Sequence, residues 1–191
     1  MSAWAILLTE IDDAGALAQW HAALRRSVDG VVVAGTRQRP NTRRGPNTSC
    51  PRVNAGAGAD PLTCVLTALA VVPPTVERIV YLDEPSLGDL DLVAAMLPLL
   101  VDGHAAVVRV AAVTDALKRV EEETLIGGVE RDGLYAPRPP HVLRRSALER
   151  LRPGVAADPA AALALSGHRL RLYFVATTPS APAHRPERHL R

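Results

Sequence analysis

Short apolar runs alternate with longer amphipathic segments over the first two thirds of the chain. Runs of Ala, Val, Ile and Leu that end at Gly, Pro or an acid are typical of buried strands, whereas apolar residues at helical spacing indicate helices. The pattern predicts strands at Ala3–Thr9, Asp29–Gly35, Arg78–Glu84 and Ala105–Val113, and helices after Asp12 or Asp13, at Pro61–Val72 and at Leu90–Leu100. This alternation predicts βαβ units, and therefore an α/β fold whose mainly parallel sheet carries helices on both faces.

The alternation stops after Val113. The next stretch, about 113–131, predicts two strands joined by an acidic turn, and therefore a β-arm. The remainder predicts a helix at Ala157–Leu165, a strand at His168–Thr177 and, after a single domain of residues 1–178, a loose tail at 179–191.

The bulk composition is ordinary for a globular protein, with 48% apolar and 22% charged residues in a chain of 191. A net charge of +2 does not indicate a nucleic-acid binder. Apolar runs of membrane-spanning length and a signal peptide are both missing, so we expect a cytoplasmic protein with no membrane partner. Lys118 is the only lysine, and the other basic side chains in the Lys+Arg count of 22 are arginine.

Parallel sheets place their ligand sites beyond the carboxyl ends of the strands. The segments expected at that edge are Thr9–Asp13, Gly35–Arg39 and Asp83–Ser86. We therefore expect any ligand to contact these three segments.

Four segments together resemble a known family. They read LDEPS at 82–86, VTDALKRV at 113–120, GGVERDGLYAPRPPHVLRRSALERL at 127–151 and ADPAAALALSGHRLRLYFVATTP at 157–179. They are similar to the 2-C-methyl-D-erythritol 4-phosphate cytidylyltransferases of isoprenoid synthesis, which carry H-D-A-A-R-P, V-x-D-T-x-K-R-V, V-x-R-x-x-L-W, T-P-Q and T-D-D at the corresponding places. The resemblance implies a Rossmann-like nucleotidyltransferase domain and a homodimer formed through the arm.

The resemblance also implies a reaction. A phosphate monoester attacks the α-phosphate of CTP with Mg²⁺ as cofactor, and pyrophosphate leaves. Asp83 matches the acid of H-D-A-A-R-P and is the candidate for nucleotide or Mg²⁺ binding. Arg131 matches the arginine of V-x-R and is a candidate contact for the substrate phosphate, together with Asp115, Lys118 and Arg119 on the arm.

The chain departs from the family at the nucleotide loop. The family has a glycine-rich P-A-A-G-x-G-x-R loop with a lysine soon after, whereas here the first strand runs directly into the helix. Glu10, Asp12 and Asp13 stand where phosphates would lie, and carboxylates there repel phosphate. The remaining departures are substitutions at single motif positions. On the cytosine side, Pro61 stands for the family's arginine and Cys64 for its serine, and Ser86 lies near the arginine of H-D-A-A-R-P. Ala116 replaces the threonine after Asp115, His141 the glutamine of T-P-Q, and Val175 the lysine of a closing F-K-I-T motif.

A second loop offers an alternative. The stretch AGTRQRPNTRRGP, Ala34 to Pro46, echoes the phosphate loop of sugar-phosphate nucleotidyltransferases but lacks its second glycine and its lysine. In this interpretation the phosphate ligands are Arg37, Arg39, Arg43 and Arg44. The alternative interpretation is a flexible surface loop, whose arginines reflect the arginine-rich composition of the whole chain.

Structural interpretations stand beside the functional ones. Asp83 can be a solvated acid at a strand end, and Arg131 can pair with Glu121 to Glu123 across the arm. Lys118 and Arg119 fit arm surface or dimer contacts. Three hypotheses remain open: a family member impaired or inactive in cytidylyl transfer, an active enzyme that binds CTP through the rearranged arginine loop, and a non-enzymatic regulatory or dimerisation partner that binds a phosphorylated ligand or a paralogue.

Overall fold

The computed structural model describes residues 2–10, 14–36, 50–114, 117–121 and 123–175, with the side chains at 87, 118–121 and 125 outside the description. The predicted tail at 179–191 and the arginine-rich stretch from Arg37 to Arg44 lie outside the described residues.

Seven of the nine described strands form one sheet. The strands are β1 Ala3–Leu8, β2 Gly30–Gly35, β3 Arg52–Asn54, β4 Arg78–Asp83, β5 Ala106–Ala112, β6 Lys118–Glu121, β7 Thr124–Gly128, β8 Tyr135–Arg144 and β9 Leu170–Phe174. The sheet order is β3-β2-β1-β4-β8-β5-β9, and β6 pairs with β7 in a separate two-stranded hairpin. Within the large sheet, β8 is antiparallel to both neighbours and the other pairings are parallel.

The described helices are α1 Ala14–Leu24, α2 Pro61–Leu69, α3 Leu87–Met96, α4 Arg145–Leu148 and α5 Pro159–Leu165, with a short 3₁₀ turn at Leu97–Leu99. Three of them begin at a polar cap. Asp60 and Asp158 accept hydrogen bonds from the third backbone N–H of α2 and α5, and a proline occupies an early helical position in both. Ser86 and Asp89 form a reciprocal capping box at the start of α3.

Two apolar clusters cover the two faces of the sheet. Ile6 and Tyr81 belong to the cluster that contains α2, α4 and α5 residues, whereas Leu7 and Val80 belong to the cluster that contains α1 and α3 residues. Adjacent strand residues divide between clusters because successive side chains of a strand point to opposite faces. The α/β prediction, a mainly parallel sheet with helices on both faces and a β-arm, is confirmed.

One central strand was missed by the sequence pattern. β8 lies between β4 and β5, yet it contains Pro137, Pro139 and Pro140, and prolines usually argue against a central strand. Pro139 and Pro140 fall where neither pairing register has a partner, between Pro137, which is opposite Val110 of β5, and His141. The ladder therefore breaks at the prolines and resumes after them.

Two short elements, β3 and α4, were also missed, since three and four residues carry almost no periodicity. The search for long apolar helices covered the described residues, and none of their helices could cross a membrane.

Candidate functional site

The parallel strands β1, β2 and β4 end together at one edge of the sheet. Backbone hydrogen bonds join the residues just beyond them: the Thr9 N–H donates to the Ala34 carbonyl at 3.1 Å, and the Glu84 N–H donates to the Leu8 carbonyl at 3.0 Å. These bonds bring Thr9 and Glu84 to the same edge. This agrees with the prediction for Asp83–Ser86 and for residues 9–10, the described part of Thr9–Asp13.

Glu10 ties the end of β1 to the end of β2. Its carboxylate accepts a hydrogen bond from the Thr36 backbone N–H at 2.9 Å and a short one from the Thr36 hydroxyl. Gly35 permits this approach, because a Cβ there would lie 3.3 Å from the Thr9 carbonyl oxygen. A charged carboxylate is thus part of the strand-end architecture.

The connection from β1 to α1 is short. β1 ends at Leu8 and α1 begins at Ala14, which leaves residues 9–13 between them. Asp12 and Asp13 lie outside the described residues. The sequence of these five residues contains no glycine, and Glu10 among them is used in the contact with Thr36.

Asp83 is exposed at the end of β4. Burial of part of the group raises the pKa of its carboxyl, the neighbouring charges of Glu84 and Asp158 raise it further, and the Tyr81 hydroxyl, which donates a hydrogen bond to it, lowers it in part. Glu84 has a positive φ of 38°, which is uncommon for a residue with a side chain. Asp83 therefore sits at a turn where like charges are held close together.

More acids gather around the start of α2. Cys64 is fully buried there. Burial raises the pKa of its thiol most, and the negative charges of Asp60, Glu10 and Asp83 raise it further. These charges act on one thiol because they lie around the same part of the strand ends. We call the group Glu10, Asp60, Asp83, Glu84 and Asp158 the acidic edge.

Asp158 joins the acidic edge from α5. One of its oxygens accepts the Ala161 N–H at 2.9 Å, and the other lies 3.6 Å from His141 Nε2. Burial alone would raise the pKa of Asp158, but the facing His141 ring and the Ala161 amide outweigh it and lower the pKa. His141 is 0% exposed, and its ring stands 5.7 Å from that of Tyr81. The sequence analysis named His141 only as the residue at the glutamine of T-P-Q, and it did not single out Asp158, although Asp-Pro before an apolar run is a helix-start signal.

The described residues could hold Mg²⁺ only together with the phosphate groups of a substrate. Within the part of the chain that the structure describes, three or more His, Cys, Asp or Glu side chains nowhere converge as a metal-binding group. Mg²⁺ is commonly held by one or two carboxylates plus substrate phosphates, and the exposed Asp83 carboxylate fits the protein share of such a site. A metal here would therefore depend on phosphate groups for most of its ligands.

The candidate contacts for the substrate phosphate lie on or beside the arm, in a different part of the chain from the acidic edge. Lys118 and Arg119 are on β6, opposite Gly128 and Gly127 of β7, and their side chains are outside the description, as is Asp115. Arg131, in the connection from β7 to β8, is exposed and its guanidinium donates to the Thr114 carbonyl. That bond ties the two ends of the arm together.

The sequence analysis did not identify an arginine on the mostly buried strand β5. Arg109 lies on β5, and its guanidinium donates to the Asp89 carboxylate of α3 and, at 2.8 Å, to the Pro139 carbonyl of β8. The signal was a single charge inside the apolar run AAVVRVAAV. Ser86, which stands near the family's motif arginine, is occupied as the cap of α3.

The sequence matches a family model over residues 7–173, that of 2-C-methyl-D-erythritol 4-phosphate cytidylyltransferase. Solved structures agree in fold. The enzyme from Thermus thermophilus is 21% identical, with a TM-score of 0.60 over 89% of this chain and 87% of that one. A 4-diphosphocytidyl-2C-methyl-D-erythritol synthase from Anaerococcus prevotii is 10% identical, with a TM-score of 0.66 over 91% and 88%.

A bifunctional protein from Campylobacter jejuni matches through about half of its own length. The alignment covers 92% of this chain and 49% of that one, at 13% identity and a TM-score of 0.61. The match to the family model extends over most of the chain, residues 7–173, and leads to one conclusion. The chain belongs to the 2-C-methyl-D-erythritol 4-phosphate cytidylyltransferase family of the non-mevalonate isoprenoid pathway.

Proposed function

We propose that this protein keeps the cytidylyltransferase scaffold and is impaired or inactive in CTP-dependent cytidylyl transfer. The observation that carries the proposal is the Glu10–Thr36 tie at the end of β1. Transfer of a phosphoryl-type group depends on backbone N–H groups and cations that neutralise the developing charge. Here a carboxylate takes up the Thr36 N–H, and Asp60 and Asp83 act together with Glu10 on the Cys64 thiol.

Electrostatics support the same conclusion. The described strand ends present Glu10, Asp60, Asp83 and Asp158. Burial is the main cause that raises the pKa of Asp83 and of Cys64, and nearby carboxylates raise both further. The same negative charges oppose a triphosphate. Arg109 does not offset this potential, because its guanidinium is already paired with Asp89. A bound nucleotide would have to bring enough Mg²⁺ to cancel the repulsion.

Calorimetric titration with CTP and Mg²⁺ tests the proposal. We expect no saturable heat and no thermal shift at millimolar CTP, because a site with a Kd near ~10 μM would stabilise the protein by roughly 2.7 kcal/mol at a hundredfold excess. Titration with methylerythritol 4-phosphate should follow, since the acceptor candidates Arg131, Lys118 and Arg119 are retained. Micromolar CTP binding with turnover would contradict the proposal.

A matched variant locates any CTP site that the titration finds. Replacing Arg37, Arg39, Arg43 and Arg44 together by serine removes the alternative phosphate loop. Four other exposed arginines, replaced in the same way, control for the loss of four positive charges: Arg25, Arg26, Arg150 and Arg152. Binding lost only in the loop variant would establish the second hypothesis, an active enzyme with an arginine-rich nucleotide loop.

We propose further that the protein forms a homodimer through the arm, in the cytoplasm. Apolar side chains are exposed on and beside the hairpin: Ile126 48%, Val129 42%, Leu134 39%, Tyr135 46% and Phe174 56%. Tyr135 and Phe174 pack edge to face with ring centroids 5.0 Å apart, which makes one aromatic surface at the base of the arm. Exposed apolar surface of this kind favours association, and it also fits the hypothesis of a non-enzymatic partner protein.

A further inference from the structure

Three arginines lie at the edge of the sheet opposite the acidic edge, where β4 and β9 begin and β8 ends. Arg78, the first residue of β4, is directly opposite Arg144, the last residue of β8. Arg171 of β9 is opposite Val107 of β5, which in turn is opposite Val142 of β8. Because residues two apart on a strand share a face, all three arginines lie on the face that the α1 and α3 cluster covers. We call Arg78, Arg144 and Arg171 the arginine cluster.

The three guanidinium groups converge on the turn that follows α3. Each donates a hydrogen bond to a backbone carbonyl of residues 97–101: Arg78 to Leu97 at 2.9 Å, Arg171 to Leu99 at 3.5 Å and Arg144 to Val101 at 3.1 Å. The carbonyl groups at the end of a helix together carry only about half an elementary negative charge. They orient the three side chains but offset only part of the positive charge that is gathered around this turn.

The contacts of Arg144 leave its charge partly uncompensated. Its acidic neighbour is Asp102, whose carboxylate lies 3.6 Å away and is fully exposed, and such a pair contributes little in water. Across the strand pair it faces Arg78, and like charges directly opposite each other destabilise a sheet. Among the described residues, Nη1 of Arg144 and Nη2 of Arg171 also have no hydrogen-bond partner. The cluster therefore offers an anion both positive charge and N–H donors.

We propose that the arginine cluster binds a phosphate dianion, either free or as the monoester of a small metabolite. The planar guanidinium group presents paired N–H donors that match two oxygens of a phosphate. A phosphate monoester has three terminal oxygens, enough to contact Arg144 and Arg171 together, whereas a carboxylate has two. The negative charge of the ligand also offsets the repulsion between Arg144 and Arg78.

This site is separate from the acidic edge. Arg78 and Asp83 are the first and last residues of β4, and five residue steps of a strand place them about 17 Å apart. The proposal therefore does not rest on the loss of CTP transfer.

Asp102 distinguishes a ligand site from a cluster that only caps the turn after α3. An incoming phosphate has to displace the Asp102 carboxylate from Arg144, so Asp102→Asn should tighten phosphate binding by about two- to fivefold. The side chain is fully exposed, so we expect little effect of this substitution on stability. Capping alone predicts no change in phosphate affinity.

The experiment is calorimetric titration of the full chain with inorganic phosphate in low salt at about pH 8, where phosphate is a dianion. We expect saturable binding by the wild type, weakened about tenfold in Arg144→Gln and in Arg171→Gln, the loss typical of a charge-assisted hydrogen bond. Arg152→Gln, at an exposed arginine elsewhere, is the matched control, and Arg131→Gln tests for phosphate bound at the arm instead. Both should bind as the wild type does. Urea unfolding checks that each variant folds, and the exposed Arg171 keeps the test open if Arg144→Gln does not.

NMR of the arginine side chains gives a second readout that needs no variant. The Nε–H signals of Arg144 and Arg171 should shift to saturation with phosphate, while those of the exposed Arg150 and Arg152 should stay in place. Methyl phosphate separates the two sources of the ligand, because tighter binding than inorganic phosphate indicates a monoester and equal binding indicates the free dianion. The absence of saturable heat at millimolar phosphate, equal shifts at all four arginines, or binding lost only in Arg131→Gln would overturn the proposal.

Discussion

Glu10 and Thr36 join the ends of two neighbouring parallel strands through two hydrogen bonds to one carboxylate. The Thr36 backbone N–H and hydroxyl are therefore both taken up by a protein carboxylate.

Replacement of Glu10 by alanine should destabilise the fold without creating a nucleotide site. The partly buried Thr36 N–H would lose its acceptor, which costs about 1–3 kcal/mol. Glu10→Gln keeps an acceptor and should cost less. Urea denaturation measures the loss, and calorimetry with CTP and Mg²⁺ tests for a gain of binding. Micromolar CTP binding by the alanine variant would mean that Glu10 alone blocks the site.

Two glycines should respond in opposite directions to alanine. At Gly30 of β2 a Cβ would lie 2.2 Å from the indole of Trp4, which is the paired residue on β1. Alanine there must therefore displace the indole ring. We expect a loss of about 1–3 kcal/mol, as for other overpacked cores.

Gly88 is the matched case in α3, where the nearest atom to a Cβ is Ser86 Oγ at 3.8 Å. Alanine there should stabilise by up to about 1 kcal/mol through helix propensity. Thermal melts of both variants check the pair, and equal effects would show that close packing at Gly30 is not the deciding factor.

Asp83 should weaken the fold at neutral pH. Because the folded-state pKa of this carboxyl is raised, its contribution is favourable below the unfolded value of about 3.9 and is lost as pH rises through the folded value. Asp83→Asn keeps an acceptor for the Tyr81 hydroxyl and removes the charge. We expect a gain of a few tenths of a kcal/mol at pH 7, small because solvent screens this exposed group. The gain should vanish near pH 3.

Asp89 should show the opposite pH dependence. Burial alone would raise the pKa of its carboxyl, but hydrogen bonds from Ser86 and the Arg109 guanidinium outweigh it and lower the pKa. Its contribution is therefore present above about pH 3.9 and is lost as pH falls through the folded value. Asp89→Asn should cost about 1 kcal/mol at pH 7 and little at low pH. An acid titration of unfolding that is identical in both proteins would contradict this.

The aromatic surface at the base of the arm predicts a change in oligomeric state. Phe174→Ser and Tyr135→Ser should each weaken the proposed dimer, since both side chains are about half exposed in the single chain. Analytical ultracentrifugation over a range of concentrations measures the association. Leu165→Ser, at 72% exposure on α5, is the matched apolar control. Equal association by all three variants would place the dimer contact elsewhere.

The local pattern of residues was enough for the βαβ part of the molecule. Apolar runs such as DGVVVAG can be buried only as strands of a covered sheet, so β1, β2, β4 and β5 were found within one or two residues. Asp83 was placed correctly at a strand end for the same reason. β8 was not found, because its prolines argue against a strand unless the partner registers on both sides are known.

For the site, too, some features are visible in the sequence and others only in the folded chain. The residue order alone shows that residues 9–13 lack the glycine-rich motif that the resemblance leads one to expect. The sequence also identifies the chain's single lysine, Lys118. Only the folded chain brings Glu10 onto Thr36, Arg109 onto Asp89 and His141 onto Asp158, because each pair comes from elements at least 17 residues apart whose meeting depends on strand order and register.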